Sequence, residues 1–272
     1  MLRLAVVLPM FNEAGNVSAL LERLAQVRQT SGLALSALAV DDGSGDATYV
    51  RLKKLEPYYP FLRIVHHPRN RGMAAALRTG IEEALAERSP AFDVLAFMDA
   101  DLTHAPEDLP RLIAPIADDQ ADFVLGSRYV PGGRMRGVPW ARRAISIVGN
   151  GAVRRLLGVP IGDLTSGFRA ARADVFRAIR LEEHGFGIQL EGSVKAYRAG
   201  FRLTEVPITL GVRKNGYSKM AYTRAFWLAY TRLILQLWLS RQEERARMVD
   251  SLALDKATYA EIEDTQGRRT AV

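Results

Sequence analysis

The sequence predicts an α/β fold in which a mostly parallel sheet carries helices on both faces. Through the first half of the chain, short apolar runs alternate with longer segments whose apolar residues recur every three or four positions. Runs of the first kind are typical of buried strands, and segments of the second kind of amphipathic helices. Their alternation is the pattern of strand–helix–strand units in a parallel sheet. A chain of 272 residues can form one large domain, or one domain with a short appendage.

The elements can be assigned in chain order. The predicted strands are the apolar runs at residues 4–8, 37–40, 64–65, 93–98 and 123–125. The predicted helices lie at residues 16–29, 72–86, 106–117 and 141–157, and another begins near Ala47 with Asp46 as its N-cap. Pro110 and Pro115 are expected to interrupt the helix at 106–117, because proline lacks the backbone donor that an α-helix needs.

Acidic residues follow three of these strands. Glu13 comes after the first, Asp41 and Asp42 after the second, and Asp99 and Asp101 after the fourth. The carboxyl ends of parallel strands meet at one edge of the sheet, which is where open α/β folds bind ligands. These side chains are therefore expected to lie together in one site.

The Asp99-Ala-Asp101 sequence indicates a cation site. Alternation along a strand would send the two side chains to opposite faces, so the chain must turn at Ala100 for the carboxylates to converge. Two close carboxylates repel each other unless a cation lies between them. Mg²⁺ or Mn²⁺, held by one or two carboxylates and by substrate phosphates, would meet that requirement. A solvated loop is the alternative interpretation of this short motif.

Seven short motifs are distributed along the first four-fifths of the chain. They are Pro9-Met-Phe-Asn-Glu13, Asp41-Asp42-Gly-Ser44, Asn70-Arg-Gly72, Asp99-Ala-Asp101-Leu-Thr-His104, Gly126-Ser-Arg-Tyr129, Asp163-Leu-Thr-Ser-Gly-Phe-Arg169 and Arg213-Lys-Asn-Gly-Tyr-Ser-Lys219. In this order they resemble the motifs of the family 2 glycosyltransferases, and more narrowly those of the dolichol-phosphate mannose synthase branch. The resemblance extends from about residue 3 to residue 220, and it implies the nucleotide-sugar-binding fold called GT-A.

The resemblance also implies roles for individual residues. The positions matched to nucleotide binding are Pro9, Phe11, Glu13, Val40, Asp42, Asp99 and Ala100. The implied catalytic residues are Asp101, Arg128, Arg213 and Lys219, and the residues matched to the acceptor phosphate are Arg128, Arg142 and Ser146. The implied cofactor is Mg²⁺ or Mn²⁺, with Asp99, Asp101 and Thr103 as its protein ligands. Family members commonly carry Gln where this chain has Thr103, so we expect weaker coordination there and more water on the ion.

The implied reaction is the inverting transfer of a hexose from a nucleotide sugar to a polyprenyl monophosphate, dolichyl or undecaprenyl. A nucleoside diphosphate leaves readily only when its charge is offset, which the ion and the Arg or Lys side chains would do. A lipid monophosphate is already ionised near neutral pH, so no dedicated general base is expected. Mannose from GDP-mannose is the family's leading case, and glucose or another hexose from a UDP-sugar is the alternative.

Two other classes of protein stay open at this point. A soluble glycosyltransferase that acts on a polysaccharide or a protein should need a catalytic carboxylate on the acceptor side, and the sequence offers no clear candidate. Glu191 and Lys195 stand four residues apart, a spacing that a surface ion pair on a helix explains. A non-catalytic nucleotide-binding protein would tolerate the loss of Asp101 or Lys219, yet both are present.

Composition narrows the range of partners. The net charge of +7 suits phosphorylated ligands, an anionic membrane surface or nucleic acid. We expect no nucleic-acid partner, because the basic residues are spread out and no nucleic-acid-binding motif is recognisable. The chain has no cysteine, which excludes disulfides and thiolate metal sites. The start, Met-Leu-Arg, runs into the first strand, so no signal peptide is expected.

The C-terminal part bears on the acceptor. Residues 225–239 form an apolar run that Arg232 interrupts; it is shorter than the roughly 20 residues of a membrane-spanning helix. The sequence therefore predicts an amphipathic helix that attaches the protein peripherally to the cytoplasmic face of the membrane. Packing on the domain, on a second copy or on a membrane-embedded partner is the alternative. The expected domains are a GT-A domain at 1–220, this helical segment at 221–245 and a charged tail at 246–272. The Gly-rich, basic stretch at 131–140 is expected to be either an acceptor-side lid or an ordinary surface connection.

Overall fold

The computed structural model describes residues 2–87, 90–213 and 223–241, except for the Arg142 side chain. The chain divides into two compact units between Thr223 and Arg224. In the second unit, residues 224–241 are helical, as expected for the apolar run. The domain boundaries expected at residues 220 and 245 stay predictions.

The first unit alternates strands and helices as the sequence predicts. Its strands are β1 (Arg3–Met10), β2 (Ala34–Asp41), β3 (Leu62–His66), β4 (Val94–Phe97), β5 (Phe123–Ser127), β6 (Arg134–Met135), β7 (Arg169–Arg172), β8 (Leu203–Pro207) and β9 (Thr209–Leu210). Its helices are α1 (Val17–Ser31), α2 (Thr48–Leu55), α3 (Met73–Ala86), α4 (Leu109–Ala117), α5 (Trp140–Leu157), α6 (Ala173–Ala178) and α7 (Ile188–Arg198).

Within the part of the chain that the structure describes, seven strands form the central sheet, in the order β3-β2-β1-β4-β7-β5-β8. Only β7 runs antiparallel, between β4 and β5, and the other pairings are parallel. The predicted α/β fold with a mostly parallel sheet is thus confirmed. Because β2, β1 and β4 are neighbours, their acidic carboxyl ends meet at one edge, as the sequence predicts.

The sheet is buried on both faces. Alternate residues of β1 enter two cores: Leu4, Val6 and Leu8 pack with α1 and α4, whereas Ala5 and Val7 pack with α3 and α6. Strands covered on both faces are apolar throughout instead of alternating with polar residues, which explains why β1 and β4 were recognisable as short apolar runs.

The prolines of α4 do not interrupt it. The helix runs from Leu109 to Ala117 after a short 3₁₀ turn at Pro106–Asp108, so the predicted interruption is wrong. Pro110 lies in the first turn, where a backbone donor has no helical partner in any case. Pro115 lies in the last turn, where the loss of one hydrogen bond affects little of the helix.

The stretch at residues 131–140 is less irregular than its composition suggests. Strand β6 within it pairs in parallel with β9, with Arg134 opposite Thr209 and Met135 opposite Leu210. This small second sheet ties the stretch to the segment that leads to Arg213. None of the helices in the described ranges is both long enough and apolar enough to cross a bilayer.

Candidate active site

The loops after β1 and β2 are joined by side-chain hydrogen bonds at the carboxyl edge of the sheet. The Asn12 backbone N–H donates to Ser44 Oγ (2.9 Å), and Asn12 Oδ1 accepts from the Gly45 N–H (2.8 Å). The Ala14 N–H donates to Asp46 Oδ2 (3.1 Å). Asn12 itself has a φ of 53°, a left-handed conformation that Asn tolerates better than most residues. These contacts fix the loop that carries Phe11 and Glu13.

Asp42 orders the loop after β3. Its Oδ1 accepts from the Arg71 N–H (2.9 Å) and lies 2.7 Å from His67 Nδ1, and its Oδ2 accepts from the Gly72 N–H (2.8 Å). The neighbouring Gly43 allows the close approach, since a Cβ there would lie 2.2 Å from the Arg69 carbonyl carbon. Asp42, predicted to contact the nucleotide, is buried, and in this structure its carboxylate holds the loop after β3 in place.

The Asp99-Ala-Asp101 segment turns at Ala100 and Asp101, as predicted. Asp101 Oδ1 accepts two hydrogen bonds from Thr103, from its N–H (2.9 Å) and its Oγ1 (2.6 Å). Leu102, between them, has a φ of 63°, which is unfavourable for a bulky side chain. The Thr103 hydroxyl, predicted as a metal ligand, therefore orients the Asp101 carboxylate in this structure.

Arg213 joins two of the predicted site segments. Its Nη2 lies 2.5 Å from Asp101 Oδ2, and its Nη1 lies 3.7 Å from Glu13 Oε1. Glu13 Oε2 accepts from Asn16 Nδ2 (2.6 Å). The structure thus brings together Glu13 after β1, Asp101 after β4 and Arg213 after β9, three residues that are far apart in the sequence.

The residues around Asp99 suit a divalent cation. Burial raises the pKa of Asp99 above its ordinary value, and the carboxylates of Asp101 and Glu13 raise it further, while His104 and Arg213 lower it. A cation beside these oxygens would favour their ionised form. Among the residues that the structure describes, no three acidic or histidine side chains converge. Asp99 and Asp101 are residues of the type that would hold Mg²⁺ or Mn²⁺ through one or two carboxylates, together with phosphate oxygens.

The other residues predicted to bind the nucleotide differ in exposure. Pro9 and Asp99 line a cleft beside the end of β4. Phe11 is half-buried. Val40 and Ala100 are buried, at 0% and 3% exposure, so their side chains pack beneath the carboxyl edge of the sheet. Lys219 lies outside the described residues.

The predicted acceptor residues form a second group beyond the end of β5. The Arg128 guanidinium holds the buried Asp163 through two hydrogen bonds, Nε to Oδ2 (2.7 Å) and Nη2 to Oδ1 (2.6 Å), and the Arg128 backbone N–H donates a third to Oδ2 (3.0 Å). The guanidinium lies over the ring of Tyr129, 5.1 Å from its centroid. The Tyr129 hydroxyl lies 2.6 Å from Ser146 Oγ on α5. Arg128 and Ser146 are thus connected through Tyr129. Arg142 precedes Ser146 by about one turn of α5, and its side chain is outside the described part.

Asp163 and Tyr129 are site residues to which sequence reasoning gave no role. Both stand in motifs that carried the resemblance, but neither motif indicates that Arg128 contacts both of them. The buried Asp163 is itself anchored, because Glu205 of β8 accepts hydrogen bonds from the Gly162 N–H (2.7 Å) and the Asp163 N–H (3.0 Å). A buried carboxylate that holds an arginine in this way fixes the guanidinium plane.

Glu191 is not the surface residue that the sequence suggested. It is only 3% exposed, and its carboxylate accepts from the Glu182 N–H (2.9 Å) and the Glu183 N–H (2.9 Å) and pairs with Lys195 Nζ (2.8 Å). The ion pair with Lys195 exists, but the surface interpretation is wrong. The amide donors explain the burial, because they satisfy oxygens that would otherwise be costly to remove from water.

Arg169 braces the loop before β7 against α7. Its Nε donates to the Ser166 carbonyl (2.9 Å), and its Nη1 donates to the Gln189 carbonyl (2.6 Å) and to Ser193 Oγ (3.2 Å). It is buried, at 5% exposure. The hydrogen bonds of the Arg169 side chain thus brace this loop against α7.

Known proteins resemble this chain in sequence and in fold. The profile of glycosyl transferase family 2 matches residues 5–180. An undecaprenyl-phosphate mannosyltransferase from Micrococcus luteus is 38% identical over 81% of this chain and 88% of its own length. A polyprenol monophosphomannose synthase from Mycolicibacterium smegmatis is 37% identical over 80% of this chain and 81% of its own. A dolichol-phosphate mannosyltransferase from Pyrococcus furiosus is 34% identical over 80% of this chain and 59% of its own.

Among solved structures, glucosyl-3-phosphoglycerate synthase from Mycobacterium tuberculosis, in complex with Mn²⁺, uridine diphosphate and phosphoglyceric acid, superimposes with a TM-score of 0.62. The two share 20% identity over 88% of this chain and 78% of the other. This similarity concerns the fold, which it supports as GT-A-like. The profile match and the identity to the three relatives establish that the chain belongs to glycosyl transferase family 2.

Proposed function

We propose that this glycosyltransferase transfers a hexose, with mannose from GDP-mannose as the leading case, to a polyprenyl monophosphate with inversion at the anomeric carbon. The printed names of the three relatives, which concern polyprenyl or dolichol phosphate and mannose, support this substrate class. The proposal depends on two observations taken together. Arg128 and Ser146 are connected through Tyr129, and the carboxylate of Glu191 is already engaged by protein donors.

The residues around Asp101 bind the nucleotide sugar, which is the donor substrate. Asp99 and Asp101 would hold Mg²⁺ or Mn²⁺, which when bound offsets the charge of the departing diphosphate. Arg213 lies within reach of the same carboxylate and adds positive charge where the leaving group develops negative charge. Lys219, a few residues further along the chain, is proposed for the same role. The loops after β1, β2 and β3 hold the nucleoside.

Arg128, Arg142 and Ser146 bind the phosphate group of the acceptor lipid. A guanidinium fixed in its plane by Asp163 and a hydroxyl held by Tyr129 offer charge and directional hydrogen bonds to a phosphate group. A lipid monophosphate carries its own ionised oxygens, so the attacking atom needs no deprotonation. Catalysis then depends on positioning and electrostatics.

Glu191 is engaged by protein donors and so is not a ready general base for an alcohol acceptor. A hydroxyl group of a polysaccharide or a protein would need a general base with an oxygen available for its proton. The Glu191 carboxylate instead receives two backbone donors and the Lys195 ammonium. A soluble glycosyltransferase of that kind is therefore the weaker candidate, and a UDP-hexose donor with the same lipid acceptor is the stronger alternative.

Attachment to the cytoplasmic face of the membrane completes the proposal. The helix at residues 224–241 exposes Trp227, at 53%, and Leu228, at 72%. Helix α5, which carries Ser146, exposes Ile145 and Val148 at 72% and 71% and contains no acidic residue. Apolar and aromatic side chains beside arginines suit the interface of an anionic bilayer. A membrane-embedded partner or a second copy of the chain is the alternative for the helix.

A donor panel tests the function. The purified protein is incubated with undecaprenyl or dolichyl phosphate, Mg²⁺ or Mn²⁺, and in turn radiolabelled GDP-mannose, UDP-glucose and other UDP-hexoses. We expect label from GDP-mannose in an organic-extractable lipid that releases the sugar in mild acid. Asp101→Asn should fold and yield less than about a hundredth of that product, an effect within the range for loss of an electrostatic transition-state contact. Wild-type turnover in Asp101→Asn, or in EDTA, would contradict the proposed role of the ion.

A further inference from the structure

A second cleft, which we call the α3–α6 cleft, lies between these two helices and the loop that joins α6 to α7. Its volume is about 520 Å³, within the range of about 300–1,000 Å³ of small-molecule sites. None of its lining residues belongs to the seven motifs that carry the family resemblance. Its apolar lining is formed by Ile81, Leu85, Phe176, Ile179 and Leu181.

The loop that forms one wall of this cleft is held in place by the protein itself. Arg78 Nη1 of α3 donates to the Glu183 carbonyl (2.6 Å), and Lys195 Nζ of α7 donates to the Arg180 carbonyl (2.8 Å). The carboxylate of Glu191 accepts from two further backbone N–H groups of the loop. The wall is therefore anchored to two helices, and a preformed cavity binds a ligand at a lower cost in conformational entropy.

The charged side chains of the lining leave an excess of positive charge. Glu182 lines the cleft, but its carboxylate pairs with Lys195 Nζ (3.0 Å). Lys195, and more weakly Arg180, lowers the pKa of that carboxyl. Glu82 is then opposed by two arginines, Arg78 and Arg180. Within the described ranges, the exposed Arg180 guanidinium forms neither a hydrogen bond nor an ion pair, so it is available to a ligand.

We propose that the α3–α6 cleft is a second ligand site, separate from the active site, for a small organic anion with an apolar body. A guanidinium binds a carboxylate or a phosphate through two parallel hydrogen bonds, and Arg180 supplies this contact. The apolar lining removes the carbon body of the ligand from water. An inorganic anion would use the arginines alone, and a neutral apolar molecule the lining alone.

A matched pair of probes tests the site without requiring turnover. Naphthoate carries a carboxylate on an apolar double ring, and naphthamide has the same ring without the charge. Their Kd values for the full chain are measured by saturation-transfer NMR titration, with and without saturating GDP or UDP and Mg²⁺. We expect naphthoate to bind the wild type about tenfold more tightly than naphthamide, the value of a charge-assisted contact. The nucleotides should displace neither probe.

Three variants locate the binding. Arg180→Ala should weaken naphthoate about tenfold and leave naphthamide within about twofold. Leu85→Trp adds bulk to the apolar lining and should weaken both probes. Arg177→Ala is the control, because Arg177 also belongs to α6 but lies outside the lining and pairs with Asp174. It should bind both probes as the wild type does.

The outcomes that would overturn the proposal are distinct. They are naphthoate that does not bind the wild type, naphthoate that binds Arg180→Ala as tightly as the wild type, and naphthoate that GDP or UDP displaces. The titration measures binding and not transfer. A wild type that transfers no hexose to polyprenyl phosphate would therefore refute the proposed function and leave the α3–α6 cleft as a ligand site.

Discussion

The guanidinium of Arg213 lies on the carboxylate of Asp101, with 2.5 Å between Nη2 and Oδ2. The opposite oxygen of Asp101 accepts both hydrogen bonds from Thr103. Arg213 thus places positive charge beside the carboxylate that would hold a divalent ion. The guanidinium and the ion would compete for the negative charge of Asp101, so nucleotide binding with the metal should move Arg213 from the carboxylate to the diphosphate.

Replacement of Arg213 should separate metal binding from nucleotide binding. In Arg213→Ala, Asp101 loses its cationic partner, so Mn²⁺ should bind more tightly in the absence of nucleotide, by about tenfold. The same variant should bind the nucleoside diphosphate more weakly, because a charge-assisted contact worth about 1.5–3 kcal/mol is lost. Titration of Mn²⁺ by electron paramagnetic resonance measures the first effect and calorimetry the second. Arg23→Ala is the control, because Arg23 is a partly exposed arginine of α1 that also forms an ion pair. Mn²⁺ affinity that stays at the wild-type value in Arg213→Ala would contradict the competition between Arg213 and the ion.

Replacement of Arg142 or Ser146 should weaken the binding of the lipid substrate and leave the binding of the nucleotide sugar unchanged. Ser146→Ala removes the partner of the Tyr129 hydroxyl, and Arg142→Ala removes a proposed phosphate ligand. Both should raise the apparent KM for polyprenyl phosphate, Arg142→Ala by about tenfold or more, with the KM for the nucleotide sugar within about twofold. Arg143→Ala, an exposed neighbour on α5, should change neither. Steady-state kinetics with each substrate varied in turn measures this, and equal effects on both KM values would argue against the assignment.

Glu191 should matter for stability and not as a base. Glu191→Gln keeps one side-chain oxygen that can accept from a backbone N–H. It loses the negative charge that pairs with Lys195, and it loses the second oxygen, which accepts from the other backbone N–H. We expect the free energy of unfolding to fall by about 1–3 kcal/mol, the cost of leaving buried donors poorly satisfied. The shape of the pH dependence of kcat should stay that of the wild type. Loss of the acidic limb of that profile, the fall in kcat as a base becomes protonated at low pH, would instead identify Glu191 as the base.

Membrane attachment should depend on the aromatic side chains of the C-terminal helix. Trp227→Ser/Trp238→Ser should release the protein from anionic vesicles in a flotation assay. Tyr58→Ser removes an aromatic ring that is 77% exposed elsewhere, and this variant should float like the wild type. Added salt should weaken binding, because part of the attraction comes from basic residues at an anionic surface. If the intact protein ignores vesicles, attachment through a partner or a second copy becomes the better account.

The fold was predictable because its signals are local. The apolar runs of β1, β2 and β4 are continuous, and acidic residues follow each of them. Strand β7 gave no such signal, because it has four residues with an arginine at each end. Arg169 can be buried because the carbonyl oxygens of Ser166 and of Gln189, on α7, accept hydrogen bonds from it. The antiparallel insertion in the middle of the sheet could therefore not be recognised from a pattern.

The site was predictable residue by residue but not as a set of contacts. Nothing in the spacing of Asp101 and Arg213 indicates that they meet, and only the family resemblance placed both near the phosphates. The role of Glu191 was missed for a related reason. Its spacing from Lys195 indicates an ion pair, whereas its burial depends on the backbone donors of residues 182 and 183, which only the folded chain brings to it.

The ionised state of the acceptor is the central claim, and a comparison of two acceptors with the same tail tests it most directly. Transfer of the preferred hexose to undecaprenyl phosphate and to undecaprenol is measured side by side in the same detergent, with Mg²⁺. Our account predicts transfer to the phosphate and less than about a thousandth of that rate to the alcohol, a difference of roughly 4 kcal/mol in activation free energy. Transfer to undecaprenol at a comparable rate would contradict it, because the protein would then have to supply the general base that this account excludes.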